Sequence, residues 1–131
     1  MEKTVPVPNA VSQPFWDGCA VGEFRYQHCN ACRSAQFYPR SICGHCHAQD
    51  LSWKVASGLG SVHTFTTVVR APNEAFDEDA PYLLALIDLD EGIRIMANIL
   101  DAVESDVRIG SRTRIVFIPR GAVMLPQVVL A

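Results

Sequence analysis

The sequence predicts a mainly β protein, in which a short N-terminal helix and a four-cysteine zinc ribbon precede a five-stranded barrel of the OB type. Two observations support this order. Two Cys-x2-Cys pairs separated by ten residues lie in the first half of the chain, and five strand-like runs between turn residues fill the second half. The 131 residues have room for a small module and a compact barrel, and 49% of them are apolar.

The chain is predicted to divide into three parts, with a boundary at Gly58-Leu59-Gly60. These glycines favour a bend at which a new sheet begins, because no lysine or helix follows them as in a phosphate-binding loop. The parts are an N-terminal arm with its short helix (1–22), the zinc ribbon (23–56) and the OB-fold domain (57–131).

The first element is a helix predicted over Ser12–Ala20, with Ser12 as its cap and Pro14 in its first turn. A helix this short is not stable alone. Its large apolar residues, Phe15 and Trp16, must therefore dock on this chain or on another one. Residues 1–10 before it are punctuated by prolines and are either a disordered tail or a partner-binding arm.

The metal site is the strongest prediction. Each Cys-x2-Cys pair bends its backbone so that two thiolates point at one ion, and two pairs complete a tetrahedral shell around Zn²⁺. The predicted ligands are Cys29, Cys32, Cys43 and Cys46. Iron is the alternative, since soft thiolates also suit a rubredoxin-like site. Four sulfurs leave no open position, so the metal is expected to be structural, with His28, His45 and His47 as neighbours that could replace a thiolate.

Three short strands are expected to surround the cysteine pairs, at 24–27, 36–38 and 51–55. The segment is rich in aromatic residues, which are expected to cover the metal-binding turns because so small a module has little other core. Stacking on nucleic-acid bases is the alternative role. These residues are Phe24, Tyr26, Phe37, Tyr38 and Trp53.

The barrel is predicted from five runs at 61–70, 82–89, 93–100, 112–119 and 122–130, with one helical turn after the third. The third run alternates, with Ile93, Ile95, Ala97 and Ile99 on one face. The second run is apolar on both faces, as expected of a strand in a closed core or an interface.

The charge balance disfavours nucleic-acid binding. The net charge is −3, and four thiolates with one Zn²⁺ add about −2. The loop at 71–81 carries four acidic residues beside the face on which OB barrels bind ligands. There is no apolar run of about eighteen residues and no secretory leader, so no membrane contact is predicted and the expected location is the cytoplasm.

Several local strings in this order resemble a family of acyl-CoA-associated proteins with an N-terminal rubredoxin-like zinc ribbon and a C-terminal OB-fold. The strings are Phe15-Trp16-Asp17-Gly18, Cys29-Asn30-Ala31-Cys32, Phe37-Tyr38-Pro39-Arg40, Cys43-Gly44-His45-Cys46, Ser57-Gly58-Leu59-Gly60-Ser61-Val62, Pro81-Tyr82-Leu83-Leu84-Ala85-Leu86 and Asp90-Glu91-Gly92-Ile93-Arg94. The match runs from about Phe15 to the C-terminus. His45 stands where a proline is common in relatives, which should not affect metal binding.

The resemblance implies an accessory subunit without a complete active site of its own. Its members look like partners of thiolases, thiolase-like aldolases, acyltransferases or hydratases that act on acyl-CoA or steroid-CoA substrates. It implies a hetero-oligomer with a thiolase-like subunit, docked through the ribbon and the Phe15-Trp16 helix. The barrel would then help to shape the channel for CoA and acyl groups.

A direct role in CoA binding would require cationic side chains for the CoA phosphates, and arginine pairs with phosphate through two hydrogen bonds. The candidates are Arg70, Arg94, Arg112 and Arg114, with ordinary solvated charge as the alternative for each.

No catalytic residue is predicted. The sequence has no Gly-x-Ser-x-Gly turn, Cys19 has no base beside it, and His63 stands among strand threonines. Two further hypotheses come from other classes. One is a nucleic-acid-binding ribbon and OB module, and the other is a free-standing enzyme that uses His63 or Cys19.

Overall fold

A computed structural model describes residues 2–131. It confirms the predicted fold class and the order of the elements. The α-helix α1 spans Gln13–Ala20, and 3-10 helices span Glu74–Asp79 and Glu104–Asp106. The strands are β1 (Arg25–Cys29), β2 (Ala35–Gln36), β3 (Leu51–Val55), β4 (Leu59–Val68), β5 (Tyr82–Leu89), β6 (Arg94–Leu100), β7 (Arg112–Arg120) and β8 (Val123–Leu130).

The ribbon sheet has the strand order β2-β1-β3, and both pairings are antiparallel. Gln27 stands at its centre, opposite Gln36 on one side and Trp53 on the other. The two cysteine-containing turns therefore project from one end of a small sheet, and β3 leads from that sheet into the barrel.

The barrel closes in the order β4-β5-β6-β8-β7, with β7 returning to pair with β4. All its pairings are antiparallel except a short parallel one between β6 and β8. This is the five-stranded, Greek-key arrangement of an OB barrel.

Alternation along the strands decides what lies inside the barrel. On β6, Ile95, Ala97 and Ile99 are buried, as predicted. On β5 only alternate residues enter the core, and Leu84 and Leu86 on the other face remain half-buried. The apolar residues on the second face of β5 therefore form an apolar patch on the outside of the barrel.

Helix α1 docks on its own chain. Phe15 is 2% exposed, and its ring packs edge-on against Phe24 and Phe37 at centroid distances of 5.3 and 5.2 Å. These aromatic contacts join the helix to the ribbon. They belong to one apolar core that continues into the barrel.

The start of α1 also differs in detail from the prediction. Ser12 precedes the first helical residue, but its hydroxyl makes no cap to the helix. Its Oγ accepts from the Asn9 backbone N–H at 3.0 Å, while the Asn9 side chain accepts from the Ser12 N–H at 2.8 Å. These two hydrogen bonds between Asn9 and Ser12 fix the segment that precedes the helix, in place of a cap on the helix itself. Among residues 2–131, no helix has the length and apolar character needed to cross a bilayer.

Candidate metal centre and the surrounding groups

The two cysteine-containing turns have the same backbone design. In each, the residue after the second cysteine has a left-handed conformation, with φ 63° at Arg33 and 65° at His47. The amide of that residue donates to the carbonyl of the first cysteine, at 2.8 Å for Arg33 to Cys29 and 3.0 Å for His47 to Cys43. This tight reversal brings the second sulfur of each pair back beside the first, although a left-handed residue with a Cβ costs about 1–2 kcal/mol.

The four predicted ligands come together. Their Sγ atoms all lie within 4.8 Å of one another, with Cys29 to Cys46 at 3.6 Å and Cys32 to Cys43 at 3.7 Å. A tetrahedron with zinc–sulfur bonds of about 2.3 Å has sulfur–sulfur edges of about 3.8 Å. The side chains present therefore fit Zn²⁺, and all four positions of a structural zinc shell would be filled by sulfur.

The pKa values of the ligand thiols differ. The Sγ of Cys43 accepts from the amides of Cys46 at 3.4 Å and His45 at 3.3 Å, and these bonds lower its pKa. A hydrogen bond from the Ser34 side chain lowers the pKa of Cys32 to about 6. The lowered pKa values of Cys32 and Cys43 suit metal ligation, because a thiol must lose its proton to bind. The Ala48 amide lowers the pKa of Cys46, but burial and the side-chain hydrogen bonds with the other three cysteines outweigh it and raise that pKa to about 12. His45 contributes a backbone amide here rather than replacing a thiolate.

Two glutamines hold the loop between the cysteine pairs, and sequence reasoning missed them. Gln27 is 4% exposed, donates to the Arg40 carbonyl at 2.8 Å and accepts from the Arg40 N–H at 2.9 Å. Gln36 donates to Gln27 at 2.6 Å and accepts from the Gly44 N–H at 2.9 Å. A polar residue at the centre of a short strand was the available signal, since a buried amide needs several partners.

Two of the predicted phosphate-binding arginines are engaged within the chain. Arg94 contacts Asp88 through Nε at 2.6 Å, and Arg112 makes a two-pronged pair with Asp90 at 2.9 and 2.8 Å. These hydrogen bonds lower the pKa values of Asp88 and Asp90. Both pairs are solvent-exposed, so each contributes little to stability.

The four arginines do not form one site. Arg112 and Arg94 lie in one row across neighbouring barrel strands, because Arg112 pairs with Ser61, Ser61 with Asp88, and Asp88 with Arg94. Arg114 lies two residues further along β7. Arg70 lies beyond the opposite end of β4. Among residues 2–131, Arg70 and Arg114 make no ion pair, whereas Arg94 and Arg112 do.

The two residues considered as catalytic groups have quite different environments. Cys19 is 1% exposed, and burial raises its pKa to about 12, so it holds its proton at neutral pH. It is a small apolar core residue. His63 is exposed on the outside of the barrel, on β4, with its Nδ1 3.4 Å from Asp88 Oδ2 and 3.3 Å from Arg94 Nη2. Among residues 2–131, no cysteine or serine nucleophile hydrogen-bonds to His63.

Fold and site together define a class: a four-cysteine zinc ribbon joined to an OB barrel, without a catalytic set in the described residues. Two family models match this arrangement. The rubredoxin-like zinc-ribbon domain of ChsH2 matches residues 16–52, and the C-terminal OB-fold domain of ChsH2 matches residues 53–117.

The relatives agree with these models. The chain is 38% identical over 100 residues to a DUF35 domain-containing scaffold protein of Methanocaldococcus jannaschii, covering 76% of this chain and 67% of that protein. The chain belongs to this family of ChsH2-like DUF35 proteins.

Two further similarities are informative about the fold and the length of relatives. The chain is 29% identical over 119 residues to the 3-oxo-4,17-pregnadiene-20-carboxyl-CoA hydratase alpha subunit of Mycobacterium tuberculosis, covering 85% of this chain but 37% of that subunit. A solved structure titled as an Ltp2-ChsH2(DUF35) aldolase superposes with a TM-score of 0.84 at 24% identity, covering 96% of this chain and 98% of that one. The structural likeness establishes the shared fold.

Proposed function

We propose that the chain is a non-catalytic accessory subunit of an acyl-CoA-processing complex, and that its partner is a thiolase-like enzyme. The proposal is carried by the absence of a nucleophile paired with a base among residues 2–131. The sulfurs of the ribbon are arranged to close around a metal, Cys19 is buried in its protonated form, and His63 lies beside an arginine–aspartate pair. The described residues thus lack a nucleophile with its base, and the reaction belongs to the partner.

The named relatives support this assignment and favour a second candidate. One is titled a scaffold protein, and the structural neighbour is titled an aldolase that combines Ltp2 with ChsH2. Another is a CoA hydratase alpha subunit. A hydratase partner is therefore the alternative to a thiolase-like one, with the same accessory role for this chain.

The outer surface between helix, ribbon and barrel supports docking. A cavity of about 520 Å³ lies there, lined in part by Trp16, Tyr38, Leu84, Met96 and Leu125. Tyr38 is 59% exposed and Met96 is 67% exposed, which is unusual for neighbouring large side chains. Phe15 is enclosed within the chain, so we propose that the helix presents Trp16 to the partner and uses Phe15 to hold itself in place.

A share in CoA binding remains a narrower proposal. Arg114 is exposed and unpaired within residues 2–131, and it lies beside Arg112. Arg70, at the other end of β4, cannot join the same phosphate group. In the assembled complex, Arg114→Ala should weaken CoA binding measurably by calorimetry, whereas Arg70→Ala should leave that phosphate contact intact.

Co-purification tests the main proposal. When the chain is expressed with the products of its neighbouring reading frames, it should elute as a hetero-oligomer with an acyl-CoA enzyme. Met96→Glu should weaken that assembly because a charge would be buried in an apolar interface. Ile109→Glu is the matched control, since Ile109 is 74% exposed elsewhere on the surface. A lone monomer, or acyl-CoA turnover by the chain itself, would contradict the proposal.

A further inference from the structure

OB barrels generally bind ligands on the face of their second and third strands, between the first-to-second and fourth-to-fifth connections. In this chain the corresponding parts are β5, β6, the β4–β5 loop and the β7–β8 turn. That surface is already occupied. The N-terminal arm, defined as residues 2–8, lies against the loop and the turn.

The arm is attached by its only lysine. Lys3 Nζ lies 2.7 Å from Asp79 and 5.9 Å from the centre of the Phe76 ring, both in the β4–β5 loop. Arg120 lies at the end of β7, with its Cζ 5.6 Å from the centre of the same ring. Phe76 therefore makes cation–π contacts with two charged groups, one from the arm and one from the barrel.

The next contact is apolar and close. A Cβ atom on Gly121, in the β7–β8 turn, would lie 3.0 Å from a methyl carbon of Val5. Gly121 also has φ 56°, so the turn needs glycine for its backbone as well as for the approach of the arm. Further along, Pro6 lines the cavity that contains Trp16.

The charge of the surface indicates what it accepts. A cavity of about 480 Å³ between arm, loop and turn is lined by Glu74, Glu78 and Arg120 of the barrel and by Glu2 and Lys3 of the arm. Asp77 and Asp79 belong to the same loop, so carboxylates outnumber the single arginine on the barrel side. These carboxylates attract a lysine and repel phosphate. Within the described residues, no backbone hydrogen bond joins residues 2–8 to the barrel. Side-chain contacts alone hold the arm, which makes it replaceable.

We propose that this cleft, formed by Phe76, Glu74, Glu78, Asp79, Arg120 and Gly121, is an interaction surface for an extended lysine-bearing segment of a partner protein, with the arm as its internal competitor. A tethered competitor acts at an effective concentration in the millimolar range. A partner segment therefore binds only when it outcompetes the arm, whatever reaction the partner performs.

A full-length variant tests this directly. Lys3→Glu should release the arm, because it places a carboxylate beside Asp79 and the Phe76 ring. The probe is a synthetic peptide with the sequence of residues 1–10, titrated while the Gly121 amide is followed by NMR. The variant should bind the peptide at least about tenfold more tightly than the wild-type chain does.

The controls use the same chain. Lys54→Glu makes the same charge change at the other lysine and should behave as wild type, because Lys54 is exposed on β3. Adding Phe76→Ala to the Lys3→Glu chain should abolish peptide binding, and Phe76 lies outside the barrel core. Equal binding by wild-type and Lys3→Glu chains would overturn the proposal, as would no binding by either, or tighter binding of the variant to a ten-nucleotide oligothymidine.

Discussion

The ribbon and the barrel hold themselves together by different means. Between Cys29 and Ala48, only Cys29 and Cys43 are buried, and polar contacts from Gln27 and Gln36 fix the loop. In the barrel, every second residue of β5 and β6 is buried among apolar side chains. The ribbon thus relies on a metal and an amide network, because a segment so small cannot bury enough apolar surface.

The comparison also shows where the two regions cooperate. The ribbon adds Tyr26 of β1, and Phe24 just before it, to the same core that holds Phe15 and the barrel interior. The inner end of the ribbon is therefore held by apolar packing, and its outer end by sulfur ligands. Loss of the metal should therefore disorder the outer end of the ribbon and leave the inner end packed in the apolar core.

Metal removal should have the largest effect. Cys43→Ser, or a strong chelator, should abolish the ordered structure of residues 29–48, since structural zinc contributes on the order of 10–16 kcal/mol in small ribbons. Hydrogen exchange should show loss of protection in that segment and retention in β5 and β6. Simultaneous loss of protection throughout the barrel would mean that the two regions form one cooperative unit.

A cavity in the barrel should have the next largest effect and should leave the metal in place. Ile87 is fully buried, so Ile87→Ala should lower the free energy of unfolding by about 2–5 kcal/mol in denaturant titrations. Leu86→Ala is the matched control, because Leu86 is the next residue along β5 but lies half-buried on the outer face, so its loss should cost clearly less. Zinc content should stay unchanged in both variants. Zinc loss with Ile87→Ala would show that metal binding by the ribbon depends on the packing of the barrel.

Removal of the amide network should weaken the ribbon selectively. Gln27→Ala leaves the Arg40 amide and the Gln36 side chain without a buried partner, which should cost about 1–3 kcal/mol. Zinc release to a chromogenic chelator should become faster. Gln27→Glu should also destabilise the ribbon, because it buries a carboxylate and places an acceptor against the Arg40 carbonyl.

The smallest effect is expected on the barrel surface. Arg94→Ala should raise the pKa of Asp88 towards its ordinary value, followed by NMR titration of the carboxyl group. Because the folded pKa is lowered, the pair stabilises the fold above the unfolded pKa of Asp88, and that contribution disappears as the pH falls through the folded pKa. Arg112→Ala should raise the pKa of Asp90 and leave the pKa of Asp88 unchanged. An unchanged pKa at Asp88 in the Arg94→Ala variant would show that Arg94 is not what holds it down, leaving His63 as the remaining cause.

Much of this architecture was predictable, for identifiable reasons. The zinc ligands follow from spacing, and the core face of β6 follows from strict alternation, since both depend on local geometry. The Ser12 cap was wrong, because the Asn9 backbone N–H competes for the Ser12 hydroxyl. The packing of Phe15 on Phe24 was not predicted, since it joins two segments that are separate in the sequence.

The amino-acid sequence alone determined the cysteine set, the order of the elements along the chain and the inward face of β6, because cysteine spacing and residue alternation act over a few positions. The tertiary structure decided the rest. It paired Arg94 and Arg112 with acids, separated Arg70 from them, enclosed Phe15 and seated Lys3 against Phe76. These outcomes required barrel closure, which brings distant residues together at distances that no local pattern encodes.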